Sequence, residues 1–422
     1  MLRSLSVRVL LALAAGLVAG AAVGAVGDPG LRSGAEAVEA VGGLWLNALR
    51  MTIVPLVFSL LVTGVASVTD AAATGRLAAR ALGLFAILLI IAAVYATLAT
   101  QGLLTLWPVD AAGAAALRAG AGSAEAAAVA PPGFADWIRS LAPANPVKAA
   151  AEDAILPLVV FGLFMGFALT KLPDTLRQPL TTVFVAIGEA MIVIVRWVLW
   201  AAPLGVFALS LGVGLRAGLG AAGVLLQYVI IVSAVTLGIA VLPYILVAVR
   251  KATGDGISTG AFARAVAPVQ VLAISTQSSL ACLPAMIERA QDDLRIPARV
   301  TGLVLPLAVA VFRLTSPVAN LAVAYFVAHL YGIDPTLPQM VGAVFVAFAV
   351  SISSVGLPGQ ISFFASMAPI CLALGLPLDV LPILLAVEVI PDIFRTIGNV
   401  TGDLGVTAVL SEPDSELDTE AA

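Results

Sequence analysis

Runs of about 20 apolar residues recur along this chain, and each matches the hydrocarbon thickness of a bilayer. They fall near residues 6–27, 41–68, 79–107, 154–170, 180–213, 219–249, 300–331 and 377–410. Only 11% of the 422 residues are charged. Soluble domains carry about 25%, so the chain reads as an integral membrane protein. The runs are continuous rather than alternating in ten-residue segments, which makes it an all-α polytopic protein and not a barrel. The first run, after Arg3 and Arg8, is long for a signal peptide and is followed by many similar ones, so it is read as the first span.

Two further apolar segments, 257–291 and 335–374, are broken in the middle by small polar residues and proline. The breaks read Ser275-Thr276-Gln277-Ser278-Ser279 and Ser351-Ile352-Ser353-Ser354-Val355-Gly356-Leu357-Pro358-Gly359-Gln360. Each half is too short to cross, which fits re-entrant hairpins of two half-helices meeting at a non-helical tip. Such backbone is tolerated at membrane depth only where protein buries it or water reaches it. Paired interruptions of this kind point to a transport site. The alternative is two ordinary spans whose hydroxyls bond back to their own helices.

The last run carries Glu388, Asp392, Arg395, Thr396, Asn399 and Asp403. Steps of three and four residues place these groups on one helical face. Each charge at bilayer depth costs about 2.5–3.5 kcal/mol, so the stripe must pair internally, with ions or with a ligand. Its own bland reading is an Asp392–Arg395 pair along the helix.

Basic residues recur at alternate ends of successive spans: Arg3 and Arg8, Arg76 and Arg80, Lys171 and Arg177, Arg250 and Lys251, then Arg289, Arg295 and Arg299. By the positive-inside rule both termini are cytoplasmic. Residues 109–140 are rich in alanine and glycine and read as an external loop of low order. The acidic tail, 411–422, reads as disordered. Net charge is −4 with no basic cluster, so nucleic acid is not a partner. Two cysteines, Cys282 and Cys371, and a single histidine, His329, argue against a resident metal site. His329 is expected to pack or sit at an interface. No nucleophile–base–orienter set suggests an enzyme.

Taken together these marks resemble the dicarboxylate/amino acid:cation symporter family. The resemblance runs through Met51–Val68, Pro143–Gly166, Ala202–Leu209, Ser275–Pro284, Ser351–Gly359 and the segment DIFRTIGNVTGD, Asp392–Asp403. It implies eight transmembrane helices plus two hairpins, a homotrimer, and an elevator-type transporter fold. Residues 1–75 and 109–216 would be scaffold. Residues 76–108 and 217–410 would form the moving transport domain. By the same likeness, Arg395 would hold a substrate's side-chain carboxylate and Asp392 its ammonium. Thr396 and Asn399 would bind the main-chain carboxylate and neighbouring groups. The tips, through Ser278, Ser279, Gly356, Pro358 and Gly359, would cradle anionic oxygens.

One motif departs. Where the family's sodium signature reads Asn-Met-Asp-Gly-Thr, this chain has Phe312-Arg313-Leu314-Thr315-Ser316. The facing third span is apolar from Phe85 to Ala93, where sodium-dependent members place hydroxyls. Sodium needs oxygen ligands, so at least one site has lost several. Arg313 is read as a fixed cation that stands in for the ion beside Asp403. Its bland reading is that it snorkels or pairs elsewhere. Arg313, Ser316, Glu388, Asn399 and Asp403 form the candidate ion-coupling set, with Asn399 and Asp403 as sodium ligands only if that ion is retained. Sodium or a proton is the candidate coupling ion, and no cofactor is expected.

The resulting expectation is a secondary active symporter of acidic amino acids or dicarboxylates in a cell inner membrane. Sodium-independent, proton-coupled transport through Glu388 or Asp392 is the expected variant. A cystine or zwitterion carrier of the same family, or a receptor that senses ligand without transport, stays open.

Overall fold

The computed structural model describes residues 5–73, 75–121, 139, 141–152, 154–218, 220–254, 256–353 and 359–411. Among these residues there are helices and connecting turns and no strand. The first half comprises α1 (Leu5–Val26), α2 (Pro29–Arg50), α3 (Ile53–Ala73), α4 (Arg76–Leu106), α5 (Ala111–Gly120), α6 (Pro146–Ala151), α7 (Ile155–Leu169), α8 (Asp174–Trp200) and α9 (Ala202–Ala217). The second half comprises α10 (Ala221–Ile239), α11 (Leu242–Ala252), α12 (Thr259–Thr276), α13 (Ser279–Asp292), α14 (Ala298–Val311) and α15 (Thr315–Tyr331). It closes with α16 (Leu337–Ser353), α17 (Gly359–Ala373), α18 (Leu381–Val387) and α19 (Val389–Leu410).

Among the described residues, six helical stretches are long and apolar enough to cross a membrane, Arg76–Leu106 and Ala298–Tyr331 included. The expected fourth span is a helix of only 15 residues, Ile155–Leu169. At about 1.5 Å per residue it falls short of the bilayer core. Other expected single spans are pairs of helices, and proline explains the breaks. Pro55, Pro203, Pro243, Pro317 and Pro391 each lack the N–H that would bond the carbonyl four residues earlier. Those positions lie beside the α2/α3, α8/α9, α10/α11, α14/α15 and α18/α19 breaks.

Both interrupted segments fold as helix pairs that pack against each other, α12 with α13 and α16 with α17. The first tip is Gln277, in the left-handed region at φ 49°, followed by Ser278, whose side chain caps α13. The second tip, 354–358, lies outside the described residues, and so do the expected site residues Gly356 and Pro358. The acidic tail from 412 lies outside them too. The expected external loop begins as a helix, α5, because Asp110 caps it by accepting from the Gly113 N–H at 2.7 Å.

The α4 surface leaves Ile87, Ile90, Ile91, Val94 and Leu98 exposed at helical spacing, a stripe suited to lipid. Inside, α15 is buried along almost its whole length and α19 from Pro391 to Ala408 apart from a few side chains. Helix α19 is packed by α10 to α15, which puts the polar stripe at the centre of a helical cage. Cys282 and Cys371 are buried free thiols. His329 packs as expected, with Nε2 2.7 Å from Gln101 Oε1.

Candidate functional site

Helix α19 can present its polar face to so many neighbours because it carries Gly398, Gly402 and Gly405. A Cβ on Gly398 would stand 2.3 Å from Thr315 Cγ2, so only glycine lets the start of α15 come this close. Thr315 uses that approach. Its backbone N–H and its hydroxyl lie 3.0 and 2.8 Å from Asn399 Oδ1, and the hydroxyl is also 3.0 Å from the Arg395 carbonyl. The backbone donor fixes the amide's orientation: Oδ1 faces Thr315, and the NH2 end remains to donate elsewhere.

A small pocket opens beside this junction, about 20 Å³, little more than one water needs. Gln277, Ser278 and Ser279 from the first tip line it together with Asp392, Arg395, Thr396 and Asn399. Leu280, Val309 and Arg313 complete the wall. Two segments distant in sequence thus meet at one pocket. The α13 N-terminus brings its partial positive charge to the pocket. Gln277 Nε2 is 3.5 Å from the Val389 carbonyl, a long contact between the tip and the start of α19.

The pocket's groups sort by what they can still do. Asn399 offers donors. The Thr396 hydroxyl donates to the Asp392 carbonyl at 3.0 Å, so its lone pairs are what remain, and they accept. Asp392 accepts as well. Arg395 is buried and Nη2 sits 2.7 Å from Glu388 Oε1, out of line for a hydrogen bond. Its Nη1 reaches Asn320 Oδ1 at 3.5 Å, and Nε makes no hydrogen bond among the described residues. Glu388 is fully buried and accepts a 2.5 Å hydrogen bond from the Tyr228 hydroxyl.

Glu388, Ser316 and Asp403 do not line the pocket. Ser316 Oγ lies 3.4 Å from Asn320 Nδ2. Both Asp403 carboxylate oxygens are buried without a hydrogen bond among the described residues, and the charge within electrostatic reach is Arg313. Arg313 in turn lies within reach of Asp392, Asp403 and Arg395. Gly359 begins α17, beyond the second tip.

Between α14 and α15, the apolar side chains of Phe312 and Leu314 are buried. Phe312 stacks on Phe85 of α4, ring centroids 4.7 Å apart at 20°, and both are buried. Leu314 and Phe312 press against Gly402. Tyr228, Thr315 and Asn320 join the network although the polar stripe did not point to them. A lone tyrosine and a lone amide inside apolar spans were the available signals.

A model of the sodium:dicarboxylate symporter family matches residues 5–412. The proton/glutamate-aspartate symporter of Escherichia coli is 30% identical over 384 residues, covering 90% of this chain and 86% of that protein. The C4-dicarboxylate transport protein of Azorhizobium caulinodans is 27% identical, covering 91% of this chain and 84% of its own. Human neutral amino acid transporter B(0) is 30% identical, covering 93% and 77%. These relatives are transporters, not enzymes. With nearly its whole length matched, this membrane protein belongs to the sodium:dicarboxylate symporter family.

Proposed function

We propose that the chain is a secondary active symporter of acidic amino acids, with C4-dicarboxylates as poorer substrates. One observation carries this reading: Asp392 and Arg395 share a pocket with the α13 N-terminus. Arg395, Asn399 and the helix end suit two carboxylates, while Asp392 and Thr396 suit an ammonium. Aspartate and glutamate supply both kinds of group; succinate brings no ammonium for Asp392 and Thr396. The named activities of the Escherichia coli and Azorhizobium relatives agree with this substrate range.

Coupling is proposed to dispense with sodium at the altered motif. Asn399 Oδ1 is already taken by Thr315, and Phe312, Phe85 and Leu314 bring no oxygen ligand there. The Arg313 charge stands in for the ion opposite Asp403. Arg313→Met is expected to make uptake sodium-dependent, and unchanged coupling would refute the substitution. The family likeness further supports a homotrimer in a bacterial-type inner membrane, both termini cytoplasmic. In it α1–α3 and α5–α9 serve as scaffold and α4 with α10–α19 move as an elevator.

Competition against uptake of radiolabelled L-aspartate into proteoliposomes tests the substrate assignment. L-Glutamate should compete best, succinate more weakly, and cystine and L-serine least. Equal competition by L-serine would move the protein toward its neutral-amino-acid relatives.

A further inference from the structure

Glu388 lies one turn before Asp392, outside the pocket, yet it holds the guanidinium that the substrate needs. The Arg395 edge formed by Nε and Nη2 makes no hydrogen bond among the described residues, and Glu388 Oε1 abuts it at Nη2. A substrate carboxylate binding that edge bidentately must occupy the place next to Nη2. Glu388 is then displaced, or two carboxylates crowd one guanidinium. Either way a fully buried carboxylate loses its cation and keeps only the Tyr228 hydroxyl. An unpaired buried charge of that kind is not tolerated without neutralisation.

We infer that Glu388 is the proton-coupling residue: it takes up one proton as the substrate carboxylate takes Arg395, and releases it when substrate leaves and Arg395 returns. This inference rests on the acidic-substrate reading above. The proton comes from the side on which substrate enters and departs on the side where it is released, so each acidic substrate moves with one proton. No other bond is made or broken.

The neighbouring groups assign the role to Glu388 rather than to the other acids. From α10, Tyr228 donates to it; from α19, Arg395 and Asp392 lie within reach; from α17, Cys371 lies near the Tyr228 hydroxyl. Asp392 lines the pocket and gains the substrate's ammonium when Glu388 loses its arginine, so it stays charged. Asp403 does not line the pocket, and the charge near it is Arg313, so a carboxylate that takes Arg395 does not take the cation beside Asp403. Of the three acids, Glu388 is the one whose cation the substrate carboxylate takes.

The test is the affinity of the detergent-purified protein for L-aspartate, measured by calorimetry across pH. Above the pH at which free Glu388 would protonate, binding should weaken about tenfold per pH unit. In Glu388→Gln, a permanently neutral analogue, binding should persist with that dependence removed. A substrate-induced infrared band of a protonated carboxylic acid should appear in the natural sequence and be missing in the variant. The infrared band also serves if the variant folds poorly, because its absence from the unmodified protein overturns the inference by itself. Tight aspartate binding with a flat pH profile, or a Glu388→Gln slope equal to the parent's, would overturn it while leaving the acidic-substrate reading intact. No binding of any acidic substrate would overturn both.

Discussion

Arg395 is the side chain on which the proposed chemistry turns, and its geometry explains why lysine would not replace it. A planar fork meets a carboxylate with two parallel hydrogen bonds; an ammonium meets it with a point charge. Arg395→Lys should weaken L-aspartate binding by about 1.5–3 kcal/mol, the worth of a hydrogen bond to a charged group. Titration calorimetry checks this, and a loss under threefold would contradict it. The residue-level polarity of the pocket was only partly legible in the sequence. Spacing placed Asp392, Arg395, Thr396 and Asn399 on one face, and the structure has them line one pocket. Spacing does not reveal that the Thr396 hydroxyl is spent on its own helix, or that Asn399 turns its oxygen to Thr315. Those facts depend on which neighbours fill a hydrogen bond first, and such neighbours are remote in sequence.

Helix α19 functions as an element because glycine keeps its face thin where α15 begins. Gly398→Ala would push Thr315 away from Asn399 and cost about 1–3 kcal/mol of stability, the usual penalty for overpacking. A thermal melt should show a lowered midpoint, and added L-aspartate should restore less of it than in the parent; an unchanged melt would contradict the packing argument. The element breaks were legible only where one asked what each proline withholds. Uninterrupted hydropathy joins 300–331 into one span, but Pro317 frees the Arg313 carbonyl, which Ser316 N–H then takes at 2.8 Å. The same reasoning at Pro391 explains the turn at Glu388 between α18 and α19, and that turn is what aims its carboxylate at both Tyr228 and Arg395.

The molecule as a whole joins its parts in two different ways. Helices α1 and α9 meet through glycine at backbone distance: a Cβ on Gly214 would fall 2.2 Å from the Leu17 carbonyl oxygen. Gly214→Leu should therefore abolish folded protein, seen as loss of a monodisperse peak in gel filtration. A normal peak would contradict that close approach. The contact between α2 and the turn before α18 is of another kind, a half-buried ion pair between Arg50 and Asp379 at 2.6 Å beside an open pocket. Such a pair contributes about 0–1 kcal/mol near a surface, weak enough to break if the elevator reading is right. Family and broad architecture were legible from the apolar runs, the paired interruptions and the final stripe. The proposed change of coupling ion rests on a departure in the sequence, Phe312-Arg313-Leu314, and the structure adds that Phe312 stacks on Phe85. Accumulation of radiolabelled L-aspartate in proteoliposomes, under an inward proton gradient with no sodium and under an inward sodium gradient with no proton gradient, is the measurement to make. Concentrative uptake with the proton gradient and none with sodium alone is the predicted result. Accumulation that requires sodium would contradict both Arg313 as the built-in cation and Glu388 as the sole coupling group.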